Sequence, residues 1–514
     1  MLVSDKSQDE GAGIVHIVGA GPGDPGLITA RGRELIDRAD AIVFDSSVNR
    51  ALLPEGARET GHPALYFVGR IPGSRRRIGS REIEELLVRL AREGQRVVRL
   101  SGGDPFVFGS GAEEVQALND ASIPFEIVPG ITAGVAAVSY AGIPVTQAGM
   151  GASVTFVSGN EIPGETATPT NWAALAKAGG TIVVYSGKRS ASSIAAALIN
   201  GGMPEEMPAA AIERGTRRSQ RTITATLATI APKLKAAKMR GPTMLVIGWP
   251  VILRDEMTWF ENRPMFGKRI VMAESGHVSG SAAERLRDAG AEVYELPAES
   301  VARLDLSPLR EAITSLEHYQ WVIFTSRNSV IVFWEQLLGS GRDARALAGL
   351  AVTAAGAETA GALLEHGIAV DLIPDRFTAE SLIEKLRARD DVTGSRVLVV
   401  SPEGQNADLA SDLAEIGAEV TVIAAYRPIP NDRISKRLRL AITKRKVDLV
   451  AFTSVPSVRA FAVAAGQALA RQIRAASISD AVTEALGAAG IEVACEASKP
   501  SADSLVAAIE REFT

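Results

Sequence analysis

Cysteine is almost missing from this chain of 514 residues, in which Cys495 is the single thiol. No intrachain disulfide and no cysteine-built zinc site can form, which fits a reducing compartment and makes the cytoplasm the expected location. Histidine is scarce too. Its five copies, His16, His62, His277, His318 and His366, are scattered with no pair at metal-ligand spacing, so no metal is expected. No uninterrupted apolar run approaches the about 20 residues of a spanning helix, so no membrane partner is expected. A strong charge of one sign is also lacking. The formal net charge of −5 is small for this length and argues against a general nucleic-acid or membrane-surface binder. The first residues carry Asp5, Asp9 and Glu10 and no apolar core, so 1–12 reads as a loose tail rather than a signal peptide.

What is present is ordinary for a globular protein, with 46% apolar and 22% charged residues. The length suggests about three to four domain-sized units. Short apolar stretches at 14–18, 41–44, 97–100, 153–157, 181–185, 269–272, 321–324, 397–400 and 449–452 read as strands. Amphipathic patterns such as 80–92 and 281–289 lie between them. This alternation predicts an α/β protein with largely parallel sheets. A boundary falls near 254–268. There Trp259-Phe260-Glu261-Asn262-Arg263-Pro264 is aromatic and broken by proline, and a new strand begins at Arg269. We take 256–267 as a linker.

The second half repeats itself. Val322-Ile-Phe-Thr-Ser326 recurs as Val450-Ala-Phe-Thr-Ser454, 128 residues on (450 − 322). Gly290-Ala-Glu-Val293 recurs as Gly417-Ala-Glu-Val420, and Ser381-Leu382 as Ser504-Leu505. Residues 268–514 are therefore expected to form two similar α/β lobes with a ligand cleft between them.

The first half carries the stronger chemical signals. Gly102-Gly103-Asp104-Pro105-Phe106-Val107-Phe108-Gly109 follows a strand, at the end where open α/β sheets bind ligands. Glycine lets a ligand approach the backbone, and Asp104 can accept hydrogen bonds. No Lys-Ser/Thr pair follows, so the loop does not announce phosphate chemistry. Gly19-Ala20-Gly21-Pro22-Gly23-Asp24-Pro25-Gly26 satisfies G-x-G-x-x-G from Gly21, and Asp45 stands where a ribose-binding acid would be. That supports an alternative reading as a nicotinamide-dependent oxidoreductase. Against it, Pro22 and Pro25 lack the N–H groups that a pyrophosphate needs. Val128-Pro129-Gly130-Ile131-Thr132-Ala133 and Gly142-Ile143-Pro144-Val145-Thr146 are two further tight turns.

Taken in order, these motifs resemble the tetrapyrrole methylases, and among them uroporphyrinogen-III C-methyltransferase. Pro208-Ala-Ala-Ala-Ile-Glu-Arg-Gly215 and Pro242…Val246-Ile247-Gly248 agree, so the resemblance covers about 13–255. It implies a fold of two α/β lobes with S-adenosylmethionine between them, and no metal. It also implies a homodimer formed through this half. By resemblance, Pro22, Gly102, Gly103, Asp104, Val107, Thr132, Ala133, Ser186 and Gly215 line the cofactor site. Ser186 stands where the family usually has Met. The family's base falls on Asp45, whose plain structural role would be a strand-end cap. Arg70 replaces a Lys, keeping charge for carboxylates while being a poor proton donor. Ser101, Ser110, Gln147 and Ala148 replace basic residues of the family. The resemblance thus implies a weaker grip on a polycarboxylate unless Arg75, Arg76, Arg77, Arg217 and Arg218 compensate.

In the second half, Tyr319…Ser326-Arg-Asn328-Ser, Gly356-Ala-Glu-Thr359, Phe377-Thr-Ala-Glu-Ser381, Ala425-Tyr426-Arg427 and Phe452-Thr-Ser454 resemble uroporphyrinogen-III synthase over about 264–514. The resemblance implies that the chain closes hydroxymethylbilane into a macrocycle without a cofactor. Thr359 and Tyr426 would face the cleft, Tyr426 assisting loss of hydroxide, and Ser326 and Ser454 would bind carboxylates. Both serines also suit helix N-caps. Ala273-Glu274, Ser401 and Asn406 stand where the family often has Thr-Arg and Arg. The two resemblances together imply a bifunctional enzyme acting on small tetrapyrroles and making precorrin-2. The alternative is a methyltransferase carrying a degenerate, tetrapyrrole-binding synthase-like module.

Overall fold

The computed structural model describes residues 13–54, 63–69, 78–159, 170–239, 241–273, 277–296, 299–302, 304–374, 379–389, 391–404, 407–430, 436–444 and 446–513. The expected tail at 1–12 lies outside them, as do Arg70, Arg75, Arg76, Arg77, Glu274, Phe377 and Asn406. The chain divides into two units, Met1–Gly267 and Lys268–Thr514. No helix among the described residues is long and apolar enough to cross a membrane.

The first unit opens with strands β1 (Ile14–Gly19), β2 (Ala41–Phe44), β3 (Ala64–Phe67), β4 (Arg96–Ser101) and β5 (Phe125–Val128). They pair in the order β3-β2-β4-β1-β5, parallel throughout. Successive side chains of a strand point to opposite faces, and both faces here are apolar. Val18 packs with Ile36 and Leu52 on one side, while Val15 and Ile17 pack with Leu87 and Leu90 on the other. The helix Ser80–Arg92 supplies those two leucines. Glu82 in its first turn and Arg89 and Arg92 in its last complement the helix dipole.

His16 lies on β1, 7% exposed, with Nδ1 2.9 Å from Glu126 Oε2 on β5. Burial, above all, pushes His16 below its ordinary value near 6.5. The Arg31 guanidinium, hydrogen-bonded to Glu126, holds that carboxyl below its usual range. Both shifts have the same sign for stability. Below about pH 6.5 the unfolded histidine takes up a proton that the folded one resists, so stability falls. Glu126 contributes above its unfolded value and loses that contribution as pH falls through its lower folded value. The melting midpoint of the first unit should therefore drop between about pH 7 and 5, and His16→Gln should flatten the slope. Identical slopes in scanning calorimetry would refute this.

The second sheet of this unit holds β6 (Val154–Ser158), β7 (Thr181–Tyr185), β8 (Pro208–Glu213), β9 (Arg221–Thr226) and β10 (Thr243–Ile247) in the order β6-β7-β10-β8-β9. Only β6 and β7 pair in parallel, and the other three pairings are antiparallel. The expectation of largely parallel sheets holds for the chain as a whole, with this sheet as the exception, and for β8 and β9 the reason is chain length. Only residues 214–220 separate β8 from β9, too few for the crossover of about a dozen residues that parallel neighbours require. The stretch read as a linker at 256–267 is packed into the first unit. Phe260 is 3% exposed, and the rings of Trp259 and Phe260 lie 4.9 and 4.7 Å from that of Tyr140.

The second unit contains β11 (Arg269–Met272), β12 (Glu292–Glu295), β13 (Glu299–Ala302), β14 (Trp321–Phe324), β15 (Ala351–Ala354), β16 (Arg396–Pro402), β17 (Glu419–Pro430), β18 (Leu449–Phe452), β19 (Arg474–Ser477) and β20 (Glu492–Glu496). They form two sheets, β12-β11-β18-β19-β20 and β13-β17-β16-β14-β15. All pairings are parallel except that of β13 with β17. There are two lobes, yet neither is one sequence repeat. Gly290-Ala-Glu-Val293 leads into β12 in the first sheet and its copy into β17 in the second. Val322…Ser326 forms β14 in the second sheet, and its copy forms β18 in the first. Each repeat therefore gives its opening strands to one lobe and its middle to the other. The equivalence reaches the side chains. Phe324 and Phe333 meet edge-on at 5.1 Å and 82°, and Phe452 and Phe461 at 5.4 Å and 86°.

Candidate active site

Three loops meet at the carboxyl end of the first sheet, following β1, β4 and β5. Gly103 N donates to Gly21 O at 2.7 Å, and Gly21 N to Gly103 O at 3.2 Å. Both glycines need positive φ, +71° at Gly21 and +72° at Gly103. Asp104 Oδ1 accepts Phe106 N at 2.8 Å and Oδ2 accepts Gly130 N at 3.0 Å. The aspartate read as a ligand acceptor thus ties its own loop to the loop after β5.

These loops form one wall of a cavity of about 470 Å3. The other wall comes from the second sheet, with Tyr185 at the end of β7 and Ser186 after it, Arg214, Gly215 and Arg217 after β8, and Met244 on β10. All nine positions expected to bind the cofactor line this one cavity: Pro22, Gly102, Gly103, Asp104, Val107, Thr132, Ala133, Ser186 and Gly215. Backbone strain gathers at the same place. Phe108, Ser186, Arg214 and Thr216 have φ between 52° and 64°, unfavourable for residues with a Cβ. Such strain persists where surrounding structure over-determines it, typically at functional sites.

Tyr185 was not singled out from the sequence, yet it joins the two walls. Its hydroxyl accepts Gly134 N at 2.8 Å and shares a 2.5 Å hydrogen bond with Thr132 Oγ1. Burial pushes its phenol up, so it stays neutral. Its position at the end of a strand, before Ser186-Gly187, is the signal that could have found it.

Asp45 does not line the cavity itself, whereas Ser46 and Ser47 do. Its Oδ1 accepts Ser47 N at 2.7 Å and also the Ser47 hydroxyl. Ser47 Oγ in turn accepts Gly102 N at 3.0 Å. Asp45 Oδ2 lies 3.5 Å from Nη1 of Arg99, which is buried and paired with Glu114 at 3.0 Å. Arg70, the other expected catalytic residue of this half, lies outside the described residues. The dinucleotide pattern loses its donors. Pro22 and Pro25 have none, Gly21 N is bonded to Gly103 O, and Gly26 N to Asp24 Oδ1 at 2.9 Å.

In the second unit, Tyr426 lines a cavity of about 600 Å3 beside Arg310, Asn328 and Gln336. Its hydroxyl donates to Ser326 Oγ at 3.2 Å. Ser326 caps the helix Arg327–Gly339 by accepting Ser329 N at 3.1 Å, and Ser454 caps Val455–Ala465 by accepting Ser457 N at 3.2 Å. Thr359 is 4% exposed in the first turn of Ala357–Glu365 and does not line this cavity. The structure brings Tyr426 and Ser326 together, while neither Thr359 nor Ser454 lines the cavity that Tyr426 borders. Arg310 was missed because nothing in its local sequence marks it.

Comparison with known proteins follows the division into two units. The family of tetrapyrrole (corrin/porphyrin) methylases matches residues 15–231, and the uroporphyrinogen-III synthase HemD family matches 280–507. The porphyrin biosynthesis protein HemD of Ruminiclostridium josui is 33% identical over 461 residues, 87% of this chain and 88% of that protein. The uroporphyrinogen-III C-methyltransferase of Synechocystis is 43% identical over 249 residues, covering 48% of this chain and 93% of its own. A crystal structure of the Thermus thermophilus uroporphyrin-III C-methyltransferase with S-adenosyl homocysteine is 32% identical, covers 47% of this chain and 100% of its own, and has a TM-score of 0.39. The chain belongs to the tetrapyrrole-biosynthesis family in which a methylase domain is fused to a uroporphyrinogen-III synthase domain.

Proposed function

We propose that the second unit closes hydroxymethylbilane to uroporphyrinogen III and that the first methylates this product twice from S-adenosylmethionine, giving precorrin-2. The convergence of the nine expected positions on one cavity carries the methyl-transfer half of this reading. The cavity suits such a donor. Gly103 borders it, and a Cβ there would meet nothing nearer than 3.8 Å, so any larger side chain would occupy the space a ligand needs. Val107, Ile212 and Met244 offer an apolar wall for a flat base.

The donor, when bound, supplies an electrophilic methyl group. The chain's own part is to hold the acceptor carbon in line and to take up a proton. We assign the proton to Asp45, which Ser47 links to the cavity wall. Arg214 and Arg217 border the cavity as cations for substrate carboxylates. In the second unit we assign to Tyr426, which borders its cavity, the assistance of hydroxide loss. The N-termini of the helices capped by Ser326 and Ser454 would receive carboxylates.

Anaerobic incubation with hydroxymethylbilane and S-adenosylmethionine, resolving product mass and ring isomer, tests both halves. A dimethylated isomer III product is expected, and unmethylated material would remove the first assignment. The capping roles of both serines favour a second reading, in which the synthase-like unit only binds tetrapyrrole. In that case Tyr426→Phe leaves ring closure unaltered.

A further inference from the structure

The turn after β8 carries three cavity residues, Arg214, Gly215 and Arg217, and its backbone is strained at two positions. Arg214 has φ +52° and the β-branched Thr216 φ +64°. Something must hold that turn, and the hydrogen bonds show what does. Thr216 N donates to Gln220 Oε1 at 2.8 Å, and Thr216 Oγ1 accepts Asp24 N at 3.1 Å, two residues beyond Pro22. Asp24 Oδ2 accepts the Tyr140 hydroxyl at 2.9 Å. The turn and the Pro22 loop are therefore one hydrogen-bonded piece.

The Gln220 side chain is 2% exposed and uses all its hydrogen-bonding groups. Its Nε2 donates to Tyr140 O at 3.1 Å and to Glu261 Oε1 at 2.8 Å. A carboxylate only accepts, so Glu261 fixes which end of the amide faces it. That turns Oε1 toward the Thr216 N–H. Glu261 is itself pinned, by Arg254 Nη2 at 2.5 Å and Thr222 Oγ1 at 2.6 Å. Arg254 also donates to Ala141 O. Residue 261 stands beyond the matched methylase residues 15–231, in the stretch that the sequence presents as a linker.

We infer that Glu261 is a positioning residue for the methyl donor. Through Gln220 it orients the Thr216 turn, and through Thr216 the Pro22 loop. The segment that joins the two units is thus part of the donor-binding apparatus. The inference rests on the reading of this cavity as the donor site.

Calorimetric titration of the full chain with S-adenosylhomocysteine tests it. Glu261→Ala should weaken binding about tenfold, the scale of one buried hydrogen bond, and leave the KM for tetrapyrrole within about twofold. Glu261→Gln keeps an acceptor oxygen and should recover to within about threefold of wild type. Gln220→Met removes the Thr216 contact by another route and should match Glu261→Ala, which keeps the test open if that variant does not fold. Thr222→Val touches the same carboxylate without reaching Thr216. It should lower the melting midpoint without changing donor affinity. Folded Glu261→Ala or Gln220→Met binding as wild type, or Thr222→Val weakening binding equally, would overturn the inference. Wild-type protein that binds no S-adenosylhomocysteine would instead overturn the donor-site reading, and this inference with it.

Discussion

Gly130→Ala should cost the first unit most of its donor affinity while the second unit keeps its activity. A Cβ at Gly130 would lie 2.2 Å from Gly103 O and 2.7 Å from Gly19 Cα. Both are backbone atoms, so no side chain can swing aside. Gly19 reports the same crowding from the other side, where a Cβ would fall 2.5 Å from Gly130 Cα. The loops after β1, β4 and β5 touch backbone to backbone, and the Asp104–Gly130 hydrogen bond holds them there. An added methyl must push the loop bearing Gly102, Gly103 and Asp104 away from the Pro22 loop, and both line the cavity. Overpacking of this kind costs about 1–3 kcal/mol, which at the site is roughly a tenfold to hundredfold loss of affinity. Titration with S-adenosylhomocysteine reads the loss, and ring closure of hydroxymethylbilane by the same preparation shows that the second unit is intact. Affinity within threefold of wild type would mean that the donor does not sit against these loops.

Arg99→Leu should destabilise the first unit by about 3–5 kcal/mol, because it strands buried negative charge. The Arg99 side chain is 3% exposed and that of Glu114 is 2%. Asp45 approaches the same guanidinium from the other side at 3.5 Å. Ser110 Oγ donates to Glu114 Oε1 at 2.8 Å, while Glu114 Oε2 has no hydrogen-bond partner among the described residues. Without Arg99, a nearly sealed carboxylate keeps only one hydroxyl. The double variant Arg99→Leu/Glu114→Leu should recover more than half of the loss, since an apolar pair of similar volume can replace a buried ion pair. Methyl transfer should not recover with it, because Asp45 would still lack the cation that orients it. The unfolding transition that shifts with S-adenosylhomocysteine marks the first unit and reads both variants. A double variant no more stable than the single one would show that the cost lies in packing rather than in charge.

The lining of the cavity we propose as the donor site was largely legible from the sequence because its signals are local. Each of Pro22, Gly102, Gly103, Asp104, Thr132 and Gly215 sits just past a strand, among glycines and prolines that mark a ligand-facing turn. Such a turn can be read one at a time. What each residue does there could not be read. Asp104 binds a neighbouring loop, and Asp45 binds Ser47 and Arg99, because a carboxylate bonds whatever donors folding brings near. Arg214 was not singled out because a left-handed backbone at an ordinary residue leaves no mark in composition, and Tyr185 was not because its bonds to Thr132 and Gly134 exist only in the fold. Gly21 to Gly26 shows the converse. Its spacing matched a dinucleotide loop, and only the hydrogen-bond partners of Gly21 and Gly26 show that those N–H groups are turned to protein acceptors.

Local sequence was enough for nine of the strands, the α/β class and the existence of an internal repeat. These depend on period, turn chemistry and apolar runs within a few residues. Tertiary structure alone decided which strands became neighbours. It exchanged strands between the two lobes of the second unit, ran β9 and β10 against the direction of β7, and drew Trp259, Phe260 and Glu261 onto Tyr140 and Gln220. The physical reason is common to all three. Pairing and burial are settled by what can be covered at a distance along the chain, and identical local patterns satisfy more than one such arrangement.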